Sequence, residues 1–428
     1  MTAGGPLWIT GASAVCSAGR TAEAAWQAAR AGRSGIGPIV AWNAAGWPCE
    51  VAGEIAGFDA RDFVPDRKLH KLLSRMDMLG LHAAHQALAD SGLLGFRDSL
   101  PEGERPRFNE RCAVLAASGG ATYSNQYDFF TLLSVAHGGL KSFGEELTST
   151  VSPMWLLRTL PNNVLCYAGV QTGFKGPNAN FTSHSVSGFL AVREALRLLA
   201  DGKADRAIVV GYDSPVEPQT VLYFAGLGLL ARDAVRSFDA GRDGCLLGEG
   251  AAALVIETAD AASRRGAEPR GEIIGAGTAT EAEGILAIGD EGEAVRRAIE
   301  ECLAEASLEP DRVSMIAAHG NGTVPSDASE GRALLEVFGI EGPPVTGFKW
   351  ATGHLMGASA ILEAVLALLS LEHGEAPGIA GLRRLDPSLT GLRVSPSVQP
   401  IEGDTGVVVS RGFGGSAAAL ALRASRRG

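Results

Sequence analysis

The sequence predicts an α/β fold arranged as two halves. Three observations carry that expectation. Apolar, β-branched runs of strand length recur, most cleanly at residues 206–211 and 251–256. Segments with apolar residues at helical spacing, such as 189–200 and 291–306, alternate with them. The chain has 428 residues, too many for one ordinary core.

In chain order, residues 7–12 read as a short apolar strand running into a glycine turn, and 22–31 as a helix closed by Gly32. Residues 59–77 carry Arg61, Arg67, Lys68, Lys71 and Arg75. Such a run is either a solvated face or a dock for an acidic partner. An Ala/Leu/His helix follows at 78–88, and a buried-type strand at 112–117. Gly119-Gly120 after that strand is too little to argue phosphate binding. Residues 123–135 are aromatic-rich and read as a helix. A turn at Gly176-Pro177 and a short strand lead to Phe181-Thr182-Ser183-His184-Ser185-Val186-Ser187-Gly188, which opens the helix 189–200. A serine at such a tip is ordinarily an N-cap. The unpaired N–H groups and the helix dipole there also favour negative charge, which suits a nucleophile. The strand 206–211 then implies a parallel crossover.

The polar, Arg-rich segment 258–271 separates the halves, taken as 1–258 and 259–428. The second half reads as strand 272–276, helix 291–306, strand 313–318, helix 326–338, a strand about Val345, an Ala/Leu helix ending at Leu371, and a final strand at 405–410. Both halves keep the same rhythm, yet no internal repeat is visible in the residues.

Composition narrows the function. Hydrophobic residues make up 46% and charged residues 20%, as in a compact globular protein. A formal net charge of -11 argues against nucleic acid as a partner, because phosphate binding needs a basic footprint. The six cysteines are scattered, with no CxxC pair and no zinc pattern; reduced thiols in a cytoplasmic setting are expected. There is no signal-peptide pattern, and no apolar stretch is expected to span a bilayer. No metal site is expected.

Ser185, His319, Lys349, His354 and Phe413 all fall at C-terminal ends of strands or in the turns after them, where open α/β sheets place their sites. Each alone has a structural reading: a hydrogen-bonded histidine, a lysine packed beside Trp350, a tight glycine turn. Together they stand among Ser152-Pro153, Gly176-Pro177 with Ser187-Gly188, Asp239 with Arg242-Asp243-Gly244 and Gly248-Glu249-Gly250, His319-Gly320 with Asp327 and Glu330, Lys349 with Thr352-Gly353-His354-Leu355 and Gly357, and Gly412-Phe413-Gly414-Gly415. This ordered set resembles the β-ketoacyl-acyl-carrier-protein synthases, the condensing enzymes of the thiolase superfamily, over nearly the whole chain.

The resemblance implies a five-layered αβαβα thiolase-like fold of two similar halves, and a homodimer or heterodimer with another ketosynthase. It implies acyl groups delivered on the phosphopantetheine of an acyl carrier protein, with no bound cofactor. His319 and His354 match the two histidines of the family, Lys349 the lysine that organises the second, and Glu330 and Asp327 acidic residues of the supporting network. Phe413, between Gly412 and Gly414, matches the gate residue of a glycine-rich loop, whose N–H with that of residue 185 would form an oxyanion hole. Asn321 and Thr323 occupy the turn that contacts the pantetheine arm. Arg67, Lys68, Lys71 and Arg75 lie where the family docks its acidic carrier.

The chain departs from the pattern at the nucleophile, where Ser185 replaces cysteine, with His184 before it and Arg411 where an aromatic is usual; the loop 277–290 looks short. A helix tip can lower a thiol pKa into the range of roughly 3.5–7.5, but a hydroxyl needs an adjacent base. His319, His354 or His184 would supply it, in a Ser-His-His arrangement with the logic of a hydrolase triad. An acyl-serine ester is also a poorer electrophile than a thioester, so acyl transfer or hydrolysis suits it better than condensation. The first expectation is therefore a carrier-dependent acyltransferase of fatty-acid or polyketide type. The alternative is a chain-length-factor-like or malonyl-decarboxylating subunit paired with an active synthase. A degradative thiolase is disfavoured, because no second cysteine stands beside Gly412-Gly415.

Overall fold

The computed structural model describes residues 5–120 and 126–425. Residues 121–125, where the aromatic-rich helix was expected to begin, lie outside that set; the helix described there is Tyr127–Ala136.

Ten strands form the main sheet: β1 (Leu7–Cys16), β2 (Cys112–Ser118), β3 (Asn178–Phe181), β4 (Arg206–Asp213), β5 (Gly250–Thr258), β6 (Gly271–Thr280), β7 (Met315–Ala317), β8 (Val345–Thr346), β9 (Thr405–Gly412) and β10 (Ser416–Ala424). Their spatial order is β8-β7-β9-β10-β6-β1-β5-β4-β2-β3. The β2–β3 and β2–β4 pairs are parallel, β4–β5 and β5–β1 antiparallel. In the second half β7–β8 and β7–β9 are parallel, β9–β10 and β10–β6 antiparallel. Numbered within its own half, each set of five strands runs 3-2-4-5-1. The repeat that the residues hide is therefore plain in the topology. A short antiparallel contact, Trp8 with Glu272 and Ile9 with Gly271, joins the halves.

Helices complete the layers. α1 (Arg75–Asp90) packs on β1, β4 and β5. It begins earlier than the apolar spacing predicts, because Ser74 and Asp77 form a capping box. α2 (Ser187–Ala200) packs on β2 and β4, and α3 (Glu293–Ala306) on β6 and β10. α4 (Val324–Phe338) rests on α3. α5 (Ser359–His373) touches both half-sheets and α2, so α2 and α5 form the middle layer of an αβαβα stack.

The stretch Met356–His373 is 18 residues long and, by length and composition alone, apolar enough to cross a bilayer, contrary to expectation. It is 89% buried within the protein. Its apolarity serves this two-sided packing: a helix between two sheets has no polar face to spare.

The two halves also build their middle helices alike. A three-residue 3-10 turn precedes each one, His184–Val186 before α2 and Met356–Ala358 before α5. The first residue of each turn is left-handed, His184 at φ 49° and Met356 at φ 46°. A serine follows each turn as the first helical residue, Ser187 and Ser359. The two helices meet closely at Gly188, where a Cβ would lie 2.9 Å from Ala360 Cβ and 2.9 Å from Ile361 Cγ1.

Candidate active site

Ser185 lies in the turn before α2, 2% exposed. Its hydroxyl does not cap the helix. The helix itself starts after Val186 with no side-chain cap, and the turn before it is braced by Ser187, whose Oγ accepts from Ser183 N–H at 2.6 Å and donates to the His184 carbonyl at 2.7 Å. Ser185 Oγ instead lies 2.9 Å from His354 Nε2. His354 Nδ1 is 2.9 Å from Ser359 Oγ, the first residue of α5. The Ser185 carbonyl is held by Ser410 Oγ–H at 2.9 Å, which ties the tip to β9.

His319 follows β7. Its backbone N–H and that of Gly320 donate to the two carboxyl oxygens of Glu330 on α4, at 2.7 and 2.9 Å. The next residues of the turn are held by Asp327, which accepts from Gly322 N–H at 3.1 Å and from Phe238 N–H at 2.7 Å. Glu330 thus shapes the His319 turn through the backbone. Burial pushes its carboxyl up to about 8, against the pull of the Gly320 N–H.

Lys349 is 1% exposed. Its Nζ donates to the His319 carbonyl at 2.7 Å and lies 3.3 Å from His319 Nδ1. The expectation that it organises His354 is therefore corrected: it serves His319. Its counter-ion is Glu363 on α5, in a short, fully buried pair. Arg411 N–H also points at His319 Nδ1, 3.3 Å away. Two donors face Nδ1 and one, Asn321 Nδ2, faces Nε2, so the balance favours Nδ1 as the acceptor and the ring proton on Nε2. Asn321 holds the far side of the turn: its Oδ1 accepts from Thr323 N–H at 2.9 Å and Thr323 Oγ1–H at 2.8 Å, and its Nδ2 is 3.3 Å from His319 Nε2.

The two imidazoles meet edge to face with centroids 5.3 Å apart. Burial holds both pKa values well below the usual histidine value, and the Lys349 charge pushes them further down. Both rings are neutral at neutral pH, so each carries one N–H and one nitrogen with a free lone pair, and a His354 tautomer protonated at Nδ1 would offer its lone pair to Ser185.

The cavity in front of them measures about 360 Å³ and is lined by Ser185, His319, His354, Asn321, Thr323 and Phe413, among others. A second cavity of about 500 Å³ lies beside it and shares Phe224, Met356 and Phe413. Phe413 stands between the two. Its ring meets His184 edge-on at 5.2 Å and Phe224 at 5.9 Å. Gly412 brings this loop to the serine: a Cβ there would lie 3.6 Å from Ser185 N. His184 lines the second cavity, not the first, and its hydrogen bonding does not involve Ser185.

Of the expected docking residues, Arg67, Lys68 and Lys71 are exposed. Arg75 differs. Its Nε donates to buried Glu249 at 2.7 Å and its Nη2 to the Ile55 carbonyl at 3.1 Å, so its charge is used inside the fold. Among the described residues, no group of His, Cys, Asp or Glu is placed to hold a metal ion.

Four residues escaped the motif reading: Glu363, Ser359, Ser410 and Glu281. Glu363 did leave a signal, as the single charge in the apolar stretch 359–371. The two serines left none. Glu281 pairs with Arg411 in a short contact, both side chains buried, and this pair clamps the loop after β6 to the glycine-rich loop.

The sequence matches the model of the beta-ketoacyl synthase N-terminal domain over residues 5–262 and that of the C-terminal domain over residues 270–383. The chain belongs to the beta-ketoacyl synthase family. It is 30% identical over 430 residues to a 3-oxoacyl-[acyl-carrier-protein] synthase 2 of Synechocystis sp., covering 97% of each chain. Nodulation protein E of Rhizobium meliloti is 31% identical over 420 residues, with 97% of this chain and 98% of that protein covered. Among solved structures, the ishigamide ketosynthase/chain length factor superposes with a TM-score of 0.86 at 27% identity, covering 99% of this chain and 100% of that one. A beta-ketoacyl synthase from Burkholderia phymatum gives a TM-score of 0.86 at 24% identity and covers 100% of both, a likeness of fold. The five-layered fold expected of a ketosynthase is the fold observed, and the chain is placed among the proteins of fatty-acid and polyketide synthesis.

Proposed function

We propose that this ketosynthase-family chain is a carrier-dependent acyltransferase in which Ser185 accepts the acyl group. One observation carries the reading: Ser185 Oγ stands 2.9 Å from the lone-pair nitrogen of a neutral, buried His354. In the step so arranged, Ser185 Oγ attacks the thioester carbonyl while its proton passes to His354 Nε2. The thiol of the phosphopantetheine arm leaves, taking a proton. His319 Nε2–H and the N–H of Phe413 are the candidate donors to the carbonyl oxygen. Transfer to an oxygen or nitrogen acceptor, or to water, returns the serine. No cofactor bound to this chain is needed.

The carrier protein is the proposed partner, with Arg67, Lys68 and Lys71 as its dock. A second ketosynthase-like chain is the other. Phe130, Leu133, Val135, Leu140, Leu156 and Val170 are all exposed on the helices between residues 127 and 172, and β3 at the neighbouring sheet edge has one side unpaired among the described residues. The ishigamide structure, a ketosynthase with a chain length factor, lends support by likeness.

A second reading has its own observation. No carboxylate backs His354, and the Lys349 charge opposes an imidazolium there. That favours malonyl decarboxylation between two neutral histidines, with no acyl-enzyme.

Intact-mass measurement after incubation with acetyl- and malonyl-carrier protein separates the two. The proposal expects an acyl adduct mapped to Ser185 and absent from Ser185→Ala. Malonyl loss that persists in Ser185→Ala, with no adduct on the parent protein, would move the assignment to the second reading.

A further inference from the structure

Arg411 is out of place in an ordinary acyl site. It is 5% exposed, is the next-to-last residue of β9, just before Gly412, and lines the reacting cavity. Its Nη2 pairs with Glu281, whereas its Nη1 is buried with no partner. Its main-chain N–H is 3.3 Å from His319 Nδ1, and the preceding residue, Ser410, holds the Ser185 carbonyl. Its main chain therefore sits at the reacting end of the cavity, and its side chain reaches from there to Glu281 on the loop after β6. Burial lowers its pKa to about 10, which leaves it charged at neutral pH. A buried guanidinium with one arm unsatisfied is a costly feature, and an anion is what satisfies it.

We propose that Arg411 is a specificity-determining residue that binds a carboxylate carried on the acyl group, so that the site selects a dicarboxylic half-thioester of malonyl type over a plain acyl thioester. This rests on the reading that the cavity takes acyl groups from pantetheine. The phosphate of a pantetheine arm is the other anion available, but it lies at the end of the arm away from the thioester, whereas Arg411 lies beside His319. The assignment has a chemical consequence. Loss of CO2 discharges the carboxylate, so an ion pinned on a guanidinium is held back from that step. The carboxylated acyl group is thereby retained for transfer.

The test is equilibrium binding in a Ser185→Ala background, where acyl transfer to this residue is blocked, with malonyl-pantetheine, acetyl-pantetheine, free malonate and inorganic phosphate as probes. Malonyl-pantetheine is expected to bind about tenfold tighter than acetyl-pantetheine. The double change R411M/E281Q, which removes both buried charges together and strands neither, is expected to erase that preference, read as the ratio of the two affinities within the same variant. E281Q alone frees the guanidinium and is expected to tighten malonyl-pantetheine and malonate. Equal affinity for the two thioesters, or a double variant that weakens both alike, overturns the assignment and leaves Arg411 as a loop clamp. Arg411-dependent binding of phosphate but not malonate overturns the carboxylate assignment. Arg411-dependent binding of malonate with neither thioester bound upholds the carboxylate site and overturns the acyl-transfer reading instead. No binding of any probe overturns both.

Discussion

Behind His354 stands the hydroxyl of Ser359, 2.9 Å from Nδ1, where a hydrolase triad would place a carboxylate. The base is therefore weak but always available. Its folded pKa lies well below the ordinary histidine value, so it stays deprotonated as pH falls through 6.5. The acid limb of kcat/KM is accordingly expected well below pH 6.5, and a limb at 6.5 would contradict a neutral buried His354. Ser359→Asp supplies the missing carboxylate at a helix start, a position that tolerates acid. It is expected to raise the His354 pKa and carry the acid limb back toward neutral pH. The pH profile of that variant reads the link between the two residues directly.

At the scale of elements, the serine–histidine distance is set by how α2 and α5 cross. Gly188 is the contact point, since a side chain there would enter the space of Ala360 and Ile361. Gly188→Val is expected to destabilise the protein by about 1–3 kcal/mol through overpacking. It should also lower kcat far more than it raises KM, because it separates Ser185 from His354 without touching the cavity mouth. Denaturant unfolding and steady-state kinetics on the same variant test the pair of effects; unchanged kcat would show that the crossing does not set the geometry. The sequence signals divide along this line. Ser185, His319 and His354 lie in loops flanked by glycine turns, and such local patterns are legible. Glu363 and Ser359 reach the site from a helix, and the identity of Lys349's partner depends on how the turns after β7 and β8 pack on α5 within the second half. Local spacing does not encode that, so the motif alone points Lys349 to His354, whereas its Nζ donates to the His319 carbonyl. Arg75 was misread for a related reason: it faces Glu249, a residue 174 positions away.

For the whole molecule, buried acids dominate the pH response on the alkaline side. Burial raises Asp213 to about 7 and Glu330 to about 8, from ordinary values of 3.8 and 4.5. The folded chain then binds protons that the unfolded chain has already released, so stability falls as pH rises through the folded values. The histidines act the other way, since the unfolded chain takes up their protons below about 6.5. Tm is therefore expected to fall from pH 6.5 to 8.5; a Tm rising over that interval would exclude the assignment. The α/β class and the alternation of elements were legible from hydrophobic periodicity, and the family from its ordered motifs. The internal repeat was not, because it survives in strand order and backbone shape while the residues have diverged.

That repeat bears on the chain's history. Two copies of one unit, each opening a turn on a left-handed residue and following it with a serine-led helix, are what tandem duplication and divergence leave behind. The equivalent tips no longer do the same work. One carries Ser185; the other has Gly357 at the matching place and contributes His354 just upstream. The reacting centre draws Ser185 from one half and His319, Lys349 and His354 from the other, so it exists only at their junction.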